Sequence, residues 1–336
     1  MASYIFKRLL LMIPTLLGMT FMLFVVVRMA PGLSTGGGKF AAGTIRSQQA
    51  QKAESLFVKR ELHMVDRNGK PIGLARQYFI WIDDLIHGNL GYSTQYNQPV
   101  INLIEQRLPV TLAINFLSII IVYLVAVPGG MLAAVKQQSF ADRCFGFVSL
   151  ALYSLPIIWV GSMMLGLLAN PQKLNWFPSA GIHSTNTSNM TYFQYVWDYC
   201  WHITLPVICL SYGSFAYLAK QVRGSILENY RMDYVRTARA KGLPESAVLL
   251  RHILRNSLLP LVTIVGMTLP GLLGGSVIVE QIFSIDGMGK LAYSATYARD
   301  LPMIQTISLI GAVLMLIAYL LVDICYAALD PRVSYA

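Results

Sequence analysis

Long apolar runs separated by shorter polar segments set the pattern of this chain. A helix needs about 20 mostly apolar residues to cross a hydrocarbon core ~30 Å thick. Six stretches approach that requirement: residues 9–27, 110–135, 144–169, 203–219, 258–278 and 307–329. The fourth is the weakest, being short and carrying Pro206 and Gly213. Lys7 and Arg8 precede the first run, yet its apolar core is too long for a signal peptide and no small-residue cleavage pattern follows. It reads as a retained anchor. The segment between the first two runs is too polar for the membrane. Gly32, Gly36, Gly37, Gly38 and Gly43 loosen its start, and helical patterning follows over 44–62 and 75–86. The pattern therefore predicts an all-α membrane protein with six transmembrane helices. Its parts are an N-terminus with the first span (1–29), a small helical extracytoplasmic insertion (30–107), and a five-helix membrane domain (108–336) with a cytoplasmic loop at 220–257.

Composition agrees. Apolar residues make up 55% of the 336 positions and charged ones 12%, about half the charge of an average soluble domain. Mean hydropathy is +0.54. These values exclude a disordered chain and argue against a soluble enzyme. Lys and Arg outnumber Asp and Glu by 26 to 16; in a membrane protein such an excess reflects cations held on the cytoplasmic side, not binding of nucleic acid. The short loops follow that rule. Eight basic residues (Lys220, Arg223, Arg231, Arg236, Arg239, Lys241, Arg251, Arg255) and three acids crowd the fourth–fifth loop, and Lys7 and Arg8 mark the N-terminus. Both termini are expected inside, in the cytoplasmic membrane.

Catalytic motifs are missing. The sequence has no G-x-x-x-x-G-K-[ST] phosphate loop, no H-E-x-x-H and no G-x-S-x-G, and its five histidines are scattered. No metal set is predicted, and the four cysteines lack a C-x-x-C spacing. Asp323 is the one acid well inside an apolar run. It reads as an interfacial hydrogen-bonding group near the end of the last span. Gly266, Pro270, Gly271, Gly274 and Gly275 fall within ten residues of the fifth run. Proline there predicts a kink and glycine permits close helix approach, so this cluster is a candidate lining for a translocation pathway. In the insertion, Tyr78, Phe79, Trp81 and Ile82 suit either an interfacial belt or a docking surface, and both readings stand.

The most informative stretch is residues 234–260. Residues 230–241 predict a helix of good formers, ended by Gly242 in a left-handed cap. Pro244 suits the start of a second helix that runs through Glu245 to Ser257. Small residues (Thr237, Ala238, Ala240) lie among Arg236, Arg239 and Lys241, a surface on which a partner with an acidic rim could approach closely. This stretch resembles the permease signature of binding-protein-dependent ABC importers, in the dipeptide/oligopeptide/nickel branch, and looks like the first of that branch's two permease subunits. Ile13-Pro14-Thr15-Leu16 with Arg28-Met29-Ala30-Pro31-Gly32 resembles the branch's first span, and 88–93 (Gly-Asn-Leu-Gly-Tyr-Ser) its insertion. Residues 283–289 with Arg299-Asp300 resemble its last external loop, and Val322-Asp323 with Leu329-Asp330-Pro331-Arg332 its C-terminus. The resemblance spans nearly the whole chain. It departs at Arg236, where the wider family often has an acid, and in the longer stretch 33–72.

That resemblance implies the type I importer permease fold and a non-catalytic transport role. It implies ATPase coupling through Tyr234, Arg236, Thr237, Ala238, Arg239, Ala240, Lys241, Gly242 and Pro244. Docking of an external solute-binding protein would fall near Asn89, Gly91, Tyr92 and Ser93. The implied partners are a second homologous permease subunit, two ATPase subunits, the solute-binding protein and the lipid bilayer. ATP and magnesium would sit on the ATPase, with no cofactor on this chain. An ion- or proton-coupled secondary carrier is the alternative; it predicts charged groups near mid-membrane and an inverted repeat, neither of which is visible. A membrane-embedded enzyme would need a cluster of His, Asp or Ser at depth, and none is seen.

Overall fold

The computed structural model describes residues 2–29, 56, 59–60, 62–66, 69–268 and 276–329; side chains at 2–5, 259, 267 and 325–329 are outside that description. Among the described residues the regular structure is helical, apart from one small hairpin and an isolated bridge between Val65 and Pro71. It divides into two compact units, one formed by residues 1–110 and 287–317, the other by 111–286 and 318–336.

The first unit contains α1 (Ala2–Met29), α2 (Leu74–Ile86), the strands β1 (Tyr92–Ser93) and β2 (Gln98–Pro99), the start of α3 (Val100–Val135), and two later helices named below. The strands pair antiparallel, Tyr92 with Pro99 and Ser93 with Gln98. The hairpin is an addition to the expected all-α pattern. The helix expected over 75–86 is α2; the one expected over 44–62 lies almost wholly outside the described residues. Tyr78 and Trp81 of α2 pack on α1: the Tyr78 ring lies 5.6 Å from Phe21 and 5.4 Å from Phe24, and Trp81 lies 6.0 Å from Phe24. These two aromatics are therefore internal packing rather than a docking surface, and Phe79 alone of the three is largely exposed.

The second unit holds the rest of α3, α4 (Phe140–Ser154), α5 (Ile157–Leu168), α6 (Tyr192–Tyr230), α7 (Asp233–Ala240), α8 (Glu245–Ala247), a π-helical turn (Val248–Ile253), α9 (Leu254–Ser257), α10 (Leu259–Thr268) and α11 (Val277–Ile282). Completing the first unit are α12 (Met288–Ala298) and the N-terminal part of α13 (Leu301–Leu329). α12 and α13 meet α3 through Val100, Leu103 and Ile104 against Met288, Leu291, Ala295 and Met303, all buried.

Among the described residues, four helices are long and apolar enough to cross a membrane (6–29, α3, α6 and 301–324), and the number rises to six if each of two bent pairs counts as one span. The bends correct the sequence expectation. The run 144–169 is broken: α4 and α5 meet at 96° because Pro156 forces Leu155 out of the helical region, to φ −80 and ψ 128. In the fifth run the bend, 44° between 245–257 and 260–266, falls at Pro260, which cannot donate to the carbonyl four residues back. The kink expected at Pro270 lies outside the described residues. The fourth run was expected to be the weakest, yet it belongs to the longest helix, α6, with 39 residues. Its low hydropathy follows from position. α6 packs against α4, α5, α9, α10 and α11, and a helix covered by protein needs less apolar surface than one facing lipid.

α3 approaches α6 closely at Gly130. A β-carbon there would stand 2.7 Å from the Ala219 carbonyl oxygen and 2.8 Å from Val222 Cβ. Backbone cannot yield cheaply, so Gly130→Ala is expected to cost about 1–3 kcal/mol. At Gly129 the nearest atom, 2.9 Å away, belongs to the Phe145 ring, which can swing, and Gly129→Ala should cost less. Thermal unfolding of the purified variants tests this; equal melting temperatures for wild type and Gly130→Ala would refute the close approach.

Candidate coupling site and cavity

The stretch singled out in the sequence forms a compact turn. α6 ends at Tyr230, and the chain bends at Arg231 and Met232 before α7 begins. The single helix expected over 230–241 therefore begins later, after the bend at Arg231 and Met232. At the end of α7 the Gly242 N–H donates to the Arg239 carbonyl (2.9 Å) and the Leu243 N–H to the Ala238 carbonyl (3.4 Å), with Gly242 at φ +77. This is a Schellman ending, in which a left-handed residue satisfies carbonyls the helix leaves open. Pro244 caps α8.

Three side chains brace the turn. Arg239 Nε donates to Glu245 Oε1 at 2.6 Å and its Nη2 to Oε2 at 3.2 Å. The guanidinium stacks 4.6 Å over the Tyr230 ring, whose hydroxyl donates to Glu245 Oε2 at 3.3 Å. The Arg239 hydrogen bond holds the Glu245 carboxyl below its ordinary range. Folding thus favours the charged form, so the brace is complete above the ordinary carboxylate range and is lost only as pH falls through the lowered value. Near neutral pH it is intact. Tyr234 adds a bond from its hydroxyl to Asn229 Oδ1 at 2.7 Å.

Two residues of α7 point inward. Val235 and Ala238 are buried in a core with Ala219, Val222, Ile226, Val248 and Ile253. Ala238 was expected to give a partner close access. It is 4% exposed, and its small size instead fits packing against the π-helical turn. The exposed face consists of Asp233, Arg236, Thr237 and Ala240, continued by Lys241, Gly242, Leu243 and Pro244. Spacings of three and four residues place the first four on one side of the helix.

The other expected site residues are distributed differently. Gly266 is buried against Val322, so it is a packing contact, and Pro270, Gly271, Gly274 and Gly275 lie outside the described residues. The cavity in this unit, about 540 Å³, is lined instead by Asn115, Ser118 and Tyr123 of α3, Gly213 and Tyr217 of α6, and Ile264 and Thr268 of α10. Only the α10 contribution follows from the fifth run. Asn89 and Tyr92 are on or near the surface, with Asn89 Oδ1 accepting from the Gly91 N–H at 3.1 Å. Ser93 is wholly buried. Its hydroxyl donates to Asp300 Oδ2 at 2.5 Å, and the Gln95 N–H donates to the same oxygen at 3.2 Å. Ser93 thus offers nothing to a docking partner; two distant sequence motifs join through it. A pair that sequence reasoning missed ties α4 to α6: Arg223 Nε to Asp142 Oδ1 at 2.6 Å and Nη2 to Oδ2 at 2.7 Å. Arg223 had counted only as loop charge, and Asp142 had not been singled out.

Comparison with known proteins decides the lineage. Residues 126–335 match the model of the binding-protein-dependent transport system inner membrane component. The chain belongs to that family. Over its full length this permease is 35% identical to the oligopeptide transport system permease protein AppB of Bacillus subtilis, which is also covered completely. It is 32% identical to the dipeptide transport system permease protein DppB of Alkalihalophilus pseudofirmus, again over 100% of both chains. Among solved structures, a chain of the MetNI methionine ABC transporter, captured inward facing, superposes with a TM-score of 0.53 at 18% identity, covering 68% of this chain and 97% of that one. The fold is that of an ABC importer permease. Nothing in these comparisons supports a secondary carrier.

Proposed function

We propose that this permease is a membrane subunit of an ATP-driven peptide importer. The observation that carries the cargo class is end-to-end identity with oligopeptide and dipeptide permease proteins. In this reading each bent pair is one span, giving six, with both termini on the cytoplasmic side of a bacterial inner membrane and residues 30–107 outside. A second homologous permease completes the pathway, two ATPases bind ATP and magnesium, and a solute-binding protein delivers cargo. The chain itself is non-catalytic and holds no cofactor. The exposed face of α7 and the turn at 241–244 enter a cleft on one ATPase. Closure of the ATPase pair is transmitted through the packed core under α7 to α6, and so to the cavity between α3, α6 and α10.

The buried position of Ala238 dictates how this is tested. Bulk at 238 would damage the permease itself, whereas Thr237 and Ala240 are exposed. Thr237→Trp with Ala240→Trp should leave the amount of membrane-inserted protein unchanged. It should also reduce the ATPase recovered with the tagged chain in mild detergent at least tenfold. Full recovery of ATPase with the double variant would exclude this face as the contact.

A further inference from the structure

The N-terminal half of α6 is covered by protein on most sides and leaves one narrow stripe open. His202, Ile203, Leu205, Pro206, Val207 and Cys209 are buried. Phe193, Trp197, Trp201 and Ile208 are exposed, and Thr204 is half-buried. Spacings of three and four residues place these five on one side of the helix. The stripe changes character along its length, being aliphatic at Ile208 and aromatic from Trp201 to Phe193.

Its rings are built into a platform. Trp201 stacks on Phe177 with centroids 4.5 Å apart, and Trp197 stacks on Trp201 at 6.2 Å. Phe177 lies in the loop after α5, where its N–H donates to the Leu168 carbonyl at 3.2 Å and so ties the loop to the end of that helix. Charge is kept off the platform. Lys173 and Asp198 are the only residues of Asp, Glu, Lys or Arg type between 169 and 219. Asp198 is held by the loop: Oδ2 accepts the Ser184 N–H at 2.9 Å, Oδ1 accepts the Ser184 hydroxyl at 2.6 Å, and His183 Nδ1 lies 3.1 Å from Oδ2.

Position along α6 identifies what covers the stripe. Residues 199–219 contain no Asp, Glu, Lys or Arg, and at 1.5 Å per residue that window matches a hydrocarbon core ~30 Å thick. Lys220 marks one end of the window, and Trp197 with Trp201 the other. An indole joins a large apolar ring to a single N–H donor, and tryptophan accordingly collects where hydrocarbon gives way to headgroups. A water-soluble partner could cover the two indoles but would not reach down the same stripe to Ile208. Lipid covers both.

We propose that Trp197 and Trp201 rest in the headgroup and ester layer of the bilayer, that Ile208 faces the acyl chains of the same leaflet, and that the stacked platform is an interfacial anchor setting the depth of α6. The partner is glycerophospholipid. The topology proposed above makes this the outer leaflet, and the lipid contact itself holds for either leaflet.

Benzoylphenylalanine, which inserts into C–H bonds on irradiation, would be placed singly at positions 197, 201 and 208 of the full tagged chain in cells, and adducts analysed after irradiation of intact membranes. Positions 197 and 201 should yield glycerophospholipid adducts joined at the glycerol or the upper acyl chain, and position 208 adducts joined farther down the chain. Position 197 is the decisive one, because Trp197 is 63% exposed and its replacement leaves the Trp201–Phe177 stack in place. Capture of a protein at 197, whether a second permease or a binding protein, would overturn the proposal. So would an absence of lipid adducts at 197. A second measurement separates an anchor from a mere lipid contact: Trp197→Asp should lower the membrane-inserted amount at least twofold, and Trp197→Tyr should leave it unchanged. Equal amounts for all three forms would overturn the anchoring role.

Discussion

Valine at position 242 is expected to cut uptake at least tenfold while leaving the permease folded and inserted at normal abundance. The reason is backbone geometry alone. Gly242 has φ +77, and a β-carbon built there meets nothing within 4 Å. No clash arises, and the core under α7 is untouched. What changes is the cost of the left-handed conformation, about 1–3 kcal/mol for a residue other than glycine and highest for a β-branched one. Since 1.4 kcal/mol is a factor of ten, strain of that size shifts the turn out of its Schellman form and displaces Leu243 and Pro244 on the face assigned to the ATPase. Asparagine tolerates the left-handed region, so Gly242→Asn should keep most of the uptake. The measurement is uptake by cells with matched membrane levels of glycine, asparagine and valine forms. Wild-type uptake by the valine form would remove this turn from the coupling mechanism.

That turn was legible in the sequence because its signals are local. Glycine after a helix of good formers and proline two residues later specify a left-handed ending and a new start, whatever packs around them. The long apolar runs were legible for a similar reason, since length and composition suffice. What stayed hidden depended on partners distant in sequence. Ala238 reads the same whether it faces a partner or its own core, and only the positions of Val248 and Ile253 decide between the two. Ser93 and Asp300 each lie in a motif, but nothing local joins positions 207 apart. α6 looked weak because hydropathy measures suitability for lipid, whereas its surroundings are mostly protein. The break at Pro156 was readable from the proline rule, but the apolar run around it masked the signal. The 540 Å³ cavity is made by residues of four helices, Tyr153 of α4 among them, and belongs to no single motif.

The same dependence on tertiary partners makes the Asp142–Arg223 pair the strongest stability test in the molecule. The Asp142 side chain is 7% exposed and that of Arg223 32%. Besides the two-pronged contact with Arg223, Asp142 Oδ2 accepts the Gln138 N–H at 2.9 Å, at a turn where Gln138 itself has φ +64. Removing the carboxylate therefore strands a partly buried guanidinium and frees the N–H of a left-handed residue. Asp142→Ala is expected to destabilise the permease by about 3 kcal/mol, toward the lower part of the range for breaking a buried pair because Arg223 retains some water. Arg223→Met alone should cost a similar amount, since it leaves the more buried carboxylate uncompensated. Replacing both partners with apolar residues, Asp142→Leu with Arg223→Met, strands neither charge and should cost less than either single change. Unfolding midpoints in detergent measure all three. A single Asp142→Ala change within about 0.5 kcal/mol of wild type, the usual scatter for surface substitutions, would show that the pair is an exposed contact of little consequence. The predicted loss would instead establish it as the clamp that fixes α4 to α6, two helical turns before the bend that leads into α7.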